Sequence, residues 1–297
     1  MEFKFWNELD SKMKRVFTEM AVLLSTLLVL IVLICLVIGG GSEAKRPEET
    51  LPPVESTGET TVATEPKDTS PEGIMATYMA EHGLTSADYT ADMLEVYKYF
   101  PEVREFILAI PLEAGRAPVN DISNEPRDKG VPLFLQFDER WGYTKYGSSV
   151  CGLAGCGPTT LSMVAYYLTG NTEYTPVYMM DLAREKGYLN SSGGTNWTMF
   201  QQGPGDVGLV SKEVPLYEPS IINYMKKGIP VVINVGPGDF TLHGHYMVIV
   251  GYEDEKFRIN DPFSVENSNK LWSYSQLESQ IKNLWAVYLP EDTAQGG

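Results

Sequence analysis

The chain has 297 residues, with 23 Lys and Arg against 39 Asp and Glu, giving a formal net charge of −16 at pH 7. That acidic balance argues against nucleic acid and anionic lipid surfaces as partners. Three cysteines, at positions 35, 151 and 156, make no disulfide framework.

Residues 21–38 form an eighteen-residue run that is apolar except for Ser25 and Thr26, and Gly39-Gly40-Gly41 follows. The run approaches the roughly 20 residues needed to cross a bilayer. It is longer than the roughly 7–15-residue apolar region of a cleaved signal peptide. Lys4, Lys12, Lys14 and Arg15 precede it, whereas only Lys45 and Arg46 follow closely. The positive-inside rule then predicts a cytoplasmic tail over 1–20, a transmembrane signal anchor over 21–40 and everything later outside the cell. Ser42-Glu43-Ala44 leaves open a cleavage that would secrete the protein. Cys35 follows Ile34, too large for a lipobox, and reads as an apolar residue of the span.

From 41 to 72 the composition turns to Pro, Glu, Thr and Ser, which cannot bury enough surface to offset its ordering entropy; a disordered linker is expected. Residues 73–130 form a helical extension. Met93, Leu94, Tyr97 and Phe100, then Val103, Phe106, Ile107 and Ile110, keep helical spacing, with Pro101 between them. Two short helices make no sizeable core alone, so they should pack on the next domain and could edge its cleft.

The domain over 131–290 falls in the usual single-domain range. Residues 131–135 read as an edge strand leading to Gln136. Gly155-Cys156-Gly157-Pro158-Thr159-Thr160 then places a cysteine just ahead of a helix, since proline is tolerated in a first turn and Leu161, Val164, Ala165 and Leu168 recur at helical spacing. Unpaired N–H groups and the positive end of the helix dipole converge there, which favours thiolate over thiol. The flanking glycines, Gly155 included, let a substrate backbone approach the sulfur. A small buried residue at a helix start is the competing reading. Cys151, five residues earlier, reads as a small residue of the preceding loop, with a redox partner for Cys156 as the sharper alternative.

Helices are expected over 176–186 and 219–227, and a strand over 229–235. His243-Gly244-His245 then runs into the apolar stretch 246–252, a turn-like Glu253-Asp254-Glu255-Lys256, and Phe257-Arg258-Ile259-Asn260 before Asp261-Pro262. A hairpin turn centred near residues 253 and 254 sets His245 opposite Asp261, or within one residue of it; a one-residue slip would put them on opposite faces. An imidazole held by a carboxylate on rigid strands is the base and orienter that a thiol nucleophile needs. Asn260 is the alternative orienter. A helix over 275–282 and a strand over 284–289 complete an α+β order. Trp197 and Phe240, both in Gly-rich loops, are candidate cleft walls, and Gly244 stands beside the histidine as a further substrate contact.

Gln136-Phe137-Asp138-Glu139-Arg140-Trp141, Gly155-Cys156-Gly157-Pro158-Thr159, Gly244-His245-Tyr246 through Gly251-Tyr252, and Asn260-Asp261-Pro262 together resemble the peptidase family thirty-nine-like domain. That family has a papain-like fold and is named for enzymes that trim bacteriocin leader peptides after a double glycine. The resemblance covers residues 130–290. It implies Cys156 as nucleophile, His245 as general base, Asp261 as orienter and Gln136 as the side-chain amide of the oxyanion hole. A neutral amide donor suits that last role. Leader-processing members are usually fused to an ABC transporter, and no GxxxxGK[ST] phosphate loop occurs here. The chain resembles the free-standing branch common in Gram-positive bacteria.

The expectation is a membrane-anchored, extracytoplasmic cysteine peptidase acting on peptides. A cell-wall peptidoglycan amidase or endopeptidase is the first alternative, and an inactive peptide-binding module on the same scaffold the second. No cofactor or metal is expected, since His243 and His245 lack further close ligands.

Overall fold

The computed structural model describes residues 68–191 and 193–295. The tail read over 1–20, the anchor over 21–40 and all but the end of the linker over 41–72 lie outside the described residues. Among the described residues no helix is long and apolar enough to cross a membrane.

Helix α1 (Pro71–His82) begins two residues inside the segment read as linker. The Ser70 side chain accepts from the Gly73 N–H at 3.0 Å, Pro71 takes the first helical position, and Gly83 closes the helix at φ 67°. Helices α2 (Ala91–Tyr99) and α3 (Arg104–Glu113) are divided by the tight turn Pro101–Val103. Proline lacks a donor and disfavours helix in the residue before it, so α2 stops there. These helices share one apolar cluster with Tyr143 and Val150 of the following domain. Phe106 stacks on Tyr143 at 4.5 Å. It also explains Gly152: a Cβ there would lie 2.1 Å from the Phe106 ring.

The next elements are a small hairpin of β1 (Lys145–Tyr146) and β2 (Ser149–Val150), a single helical turn Cys151–Ala154, and helices α4 (Cys156–Thr169) and α5 (Pro176–Glu185). The main sheet is antiparallel. Its strands are β3 (Val210–Glu213), β4 (Val231–Val235), β5 (His245–Glu253), β6 (Lys256–Asn260), β7 (Leu271–Trp272) and β8 (Ile281–Tyr288), in the order β3-β8-β4-β5-β6-β7. Helices α6 (Glu218–Lys226), α7 (Val265–Asn269) and α8 (Tyr274–Glu278) connect them.

Both faces of the central strands are covered. Val232, Tyr246, Val248 and Trp285 share a core with α4, while Val231, Ile233, Met247 and Ile249 belong to a second core with α6. Every residue of β4 is therefore buried, the pattern of a strand packed on two sides. Burying a Val or Ile side chain contributes about 1.5–3 kcal/mol, so this strand anchors the sheet on which the histidine sits.

Several elements differ from the sequence reading. The expected strand over 229–235 begins at Val231, because Pro230 has no N–H to give to a ladder. Residues 131–135 join no ladder. They are held instead by the Asn260 side-chain NH₂, which donates to the Val131 carbonyl at 2.9 Å and the Pro132 carbonyl at 3.1 Å. The helix expected over 275–282 ends at Glu278, and β8 starts at Ile281, a buried residue that pairs with Val235. Strands β3 and β7 and the turns Thr198–Gln201 and Gly203–Asp206 are too short to show a period.

Candidate active site

Helix α4 starts at Cys156, with Gly155 as its N-cap. The N–H of a first helical residue has no partner within its own helix, so this one is available to a ligand. The helix is buried on more than one face: Gly157 through Tyr166 are all buried. Its polar side chains are satisfied, Thr160 by the Tyr246 carbonyl at 3.2 Å and Ser162 by the Tyr174 carbonyl at 2.6 Å. A helix so enclosed is rigid. Cys156 itself is partly exposed and borders a cavity of about 980 Å³.

His245 is the first residue of β5 and pairs with Val235. Its Nε2–H donates to Asp261 Oδ1 at 2.7 Å, and both side chains are almost wholly buried. The hairpin does not reach this contact by the expected register. The β5–β6 turn is Asp254-Glu255, both at positive φ, so its centre falls later than expected. Glu253 opposes Lys256, Tyr252 opposes Phe257 and Gly251 opposes Arg258. Continued unchanged, that register would set His245 and Asp261 on opposite faces. A bulge at Val250 shifts it by one, so that Ile249 opposes Ile259 and Val248 opposes Asn260. Asp261 then falls opposite Met247, two residues from His245 and on the same face. The bulge restores the pairing that the turn would have lost.

Asp261 is held on every side. Oδ1 also accepts from the Phe263 N–H at 2.8 Å, Oδ2 accepts from the Asn267 side-chain NH₂ at 2.9 Å, and the Asp261 N–H donates to Ser268 Oγ at 2.9 Å. Nothing in the sequence singled out Asn267 or Ser268, which sit in a five-residue helix with no strong pattern. Asn260 turns away to residues 131 and 132 and leaves the orienting position to Asp261.

Burial, the largest influence on His245, disfavours its charged form. The Asp261 charge and hydrogen bond, together with the nearby Cys156 thiol, outweigh it and raise the imidazole to about 10. Since Nε2 is engaged by Asp261, Nδ1 is the nitrogen left for Cys156. Cys151 differs. It is fully buried, in the helical turn Cys151–Ala154 rather than a loop, and burial pushes its thiol up to about 12.

Gln136 borders the same cavity, and its backbone N–H donates to the Pro262 carbonyl at 2.7 Å, tying it to the Asp261 segment. Its side-chain NH₂ donates to the Gly152 carbonyl at 2.9 Å and contacts the Cys151 carbonyl at 3.4 Å, while Oε1 is buried without a partner. Turning the amide over would set oxygen against two carbonyls, so the orientation is fixed by its surroundings.

The expected cleft residues divide. Trp197 is exposed at the cavity edge, its indole N–H donating to Asn234 Oδ1 at 3.0 Å. Gly244 also lines the cavity, and a Cβ there would meet the Val235 carbonyl oxygen at 3.9 Å, an ordinary contact. Phe240 lines the cavity too, but as a core residue rather than an exposed loop aromatic: it is 1 % exposed and packs on Trp272 at 4.5 Å. Gly155 serves Cys151 rather than a substrate, since a Cβ there would lie 2.5 Å from the Cys151 sulfur. The opposite wall was not assigned in detail from sequence; it includes Met93, Glu95 and Val96 of α2.

The sequence model of the Peptidase_C39 like family matches residues 129–290, more than half of the chain. The protein belongs to that family. No curated protein matches. Among solved structures, the chain is similar to the peptidase domain of Streptococcus ComA, a bi-functional ABC transporter of a quorum-sensing pathway. The identity is 21 %, covering 45 % of this chain and 89 % of that one, with a TM-score of 0.36. The peptidase domain of Streptococcus mutans ComA matches at 18 % identity over 52 % of this chain and 96 % of its own, TM-score 0.34. A Bacillus anthracis protein described as C39-like matches at 20 % identity, over 56 % and 96 %, TM-score 0.33.

Proposed function

We propose that this protein is a papain-like cysteine peptidase, with Cys156 as nucleophile, His245 as general base and acid, and Asp261 holding the imidazole. The observation that carries the reading is the buried 2.7 Å bond from His245 to Asp261, beside a partly exposed cysteine at a helix start. The Cys156 thiolate attacks the carbonyl carbon of a peptide bond, and the π electrons pass to oxygen. The Cys156 N–H and the more weakly held hydrogen of the Gln136 amide, the one near the Cys151 carbonyl, stabilise that oxyanion. As the C–N bond breaks, the imidazolium of His245 protonates the leaving amine and a thioester remains. His245 then takes a proton from water, the hydroxide attacks the thioester, and the thiol and a carboxylic acid are released. The substrate is a peptide or a cell-wall peptide lying in the cavity between Trp197 and α2.

The test compares secreted peptides and wall fragments from a wild-type and a Cys156→Ala strain. An uncleaved peptide accumulating in the mutant supports the reading. A change confined to wall fragments would reassign the enzyme to peptidoglycan, and no change in either would sink both.

The apolar run over 21–38 supports a single span that holds the peptidase outside the cell, on the acidic tether between residue 41 and helix α1. Protease added to intact protoplasts should release a soluble, active fragment beginning within 41–72. Protection until the membrane is broken reverses the orientation. A mature protein already soluble and starting near Lys45 makes the segment a signal peptide.

A further inference from the structure

The loop that carries Asp261 is gripped from outside the family-matched region. Glu102, in the turn between α2 and α3, places its carboxylate over the first residues of α7. It accepts from the Ser264 hydroxyl, from the Val265 N–H at 2.8 Å, and from the Glu266 N–H at 3.3 and 3.4 Å. Two residues earlier, Phe100 meets Phe263 edge-on at 5.3 Å, and Phe263 in turn lies edge-on to His245 at 6.3 Å. The gripped segment is the one that fixes the aspartate, through the Phe263 N–H, the Asn267 amide and the Ser268 hydroxyl.

These contacts form one continuous path from the extension to the base. The α7 helix is five residues long and cannot hold its own shape without external partners. A carboxylate at its start satisfies N–H groups that have no partner inside the helix. Resting on the peptidase reading above, we infer that Glu102 is a positioning residue for the His245–Asp261 pair. The extension thus completes the catalytic centre as well as walling the cleft.

The test uses the full chain in detergent micelles and iodoacetamide, with no substrate required. Glu102→Gln keeps the shape but loses the charge and one acceptor; Glu105→Gln, an exposed glutamate on α3, is the matched control. Glu102→Gln should slow Cys156 alkylation at pH 7 at least fivefold and move the NMR titration of the His245 ring to lower pH, while Glu105→Gln changes neither. Glu102→Ala should exaggerate both effects; if it does not fold, Glu102→Gln carries the test. Wild-type alkylation rate and His245 titration in Glu102→Gln would overturn the inference, including when only its melting temperature falls. If wild-type Cys156 is alkylated no faster than Cys151, the peptidase reading itself fails, an outcome separate from failure of the Glu102 role.

Discussion

Cys151 and Cys156 each open a helical segment, five residues apart, yet they stand in opposite environments. Cys151 begins a single turn, is wholly buried, and finds only the Thr159 hydroxyl, 3.9 Å from its sulfur. Cys156 begins a fourteen-residue helix, faces the cavity and has His245 beside it. A position at a helix start is therefore not enough to make a working thiol. A lone turn aligns few peptide dipoles, and burial of Cys151 opposes its thiolate. What separates the two is access and a neighbouring imidazole.

The sharpest way to break that contrast is chemical labelling. At neutral pH iodoacetamide should modify Cys156 at least ~10³-fold faster than Cys151, because a thiol pushed to about 12 has almost no thiolate at pH 7. Peptide mapping reads the ratio, and equal rates would erase the distinction. Next in size is Asp261→Asn. The Phe263 N–H fixes an acceptor at Oδ1, so asparagine keeps its oxygen there and turns its NH₂ toward Asn267, which can flip to receive it. Geometry survives but charge does not, and burial then holds His245 neutral. Turnover should fall by about 10²–10⁴-fold with the fold intact. Near-normal turnover would mean that the carboxylate's charge is idle. Asp261→Ala is the poorer experiment, because breaking a buried pair costs about 3–5 kcal/mol in its own right.

Stability against pH sharpens the same comparison on a smaller scale. His245 is raised in the folded chain from 6.5 to about 10. Its contribution is fully present below pH 6.5 and is lost as pH climbs toward 10. The stability gap between the wild type and Asp261→Asn, from urea unfolding, should narrow across that window; a gap that widens contradicts the assigned direction. Smallest is Cys151→Ala, expected to cost about 1–2 kcal/mol and a few degrees of melting temperature while leaving turnover nearly intact.

The sequence made some of this legible and hid the rest for identifiable reasons. Residues 176–185 and 218–226 declare themselves as helices through spacing, caps and stops, and the observed bounds lie within a residue of those expected. The cysteine, histidine and aspartate were visible as residue types in the right order. Their geometry was not: the turn sits later than Glu253, and the error is cancelled by a bulge whose one available signal was Gly251 in a strand interior. Phe240 borders the cavity as expected but is buried, because its Gly-rich loop folds the aromatic back onto Trp272. Glu102, Asn267 and Ser268 were beyond reach, since their partners depend on how separate segments pack.

The bulge at Val250 also imposes an arithmetic on change in this hairpin. Residues added at the Asp254-Glu255 tip lengthen the loop without altering which residues face each other, so the tip can vary freely. A single residue gained or lost elsewhere between the tip and the site shifts the register by one and turns Asp261 to the far face, whereas loss of the bulged Val250 itself only closes the ladder and leaves Asp261 opposite Met247. Away from the bulge, insertions and deletions along these strands are therefore tolerable only in compensating pairs. A sequence comparison through this stretch should count residues by parity before it counts identities.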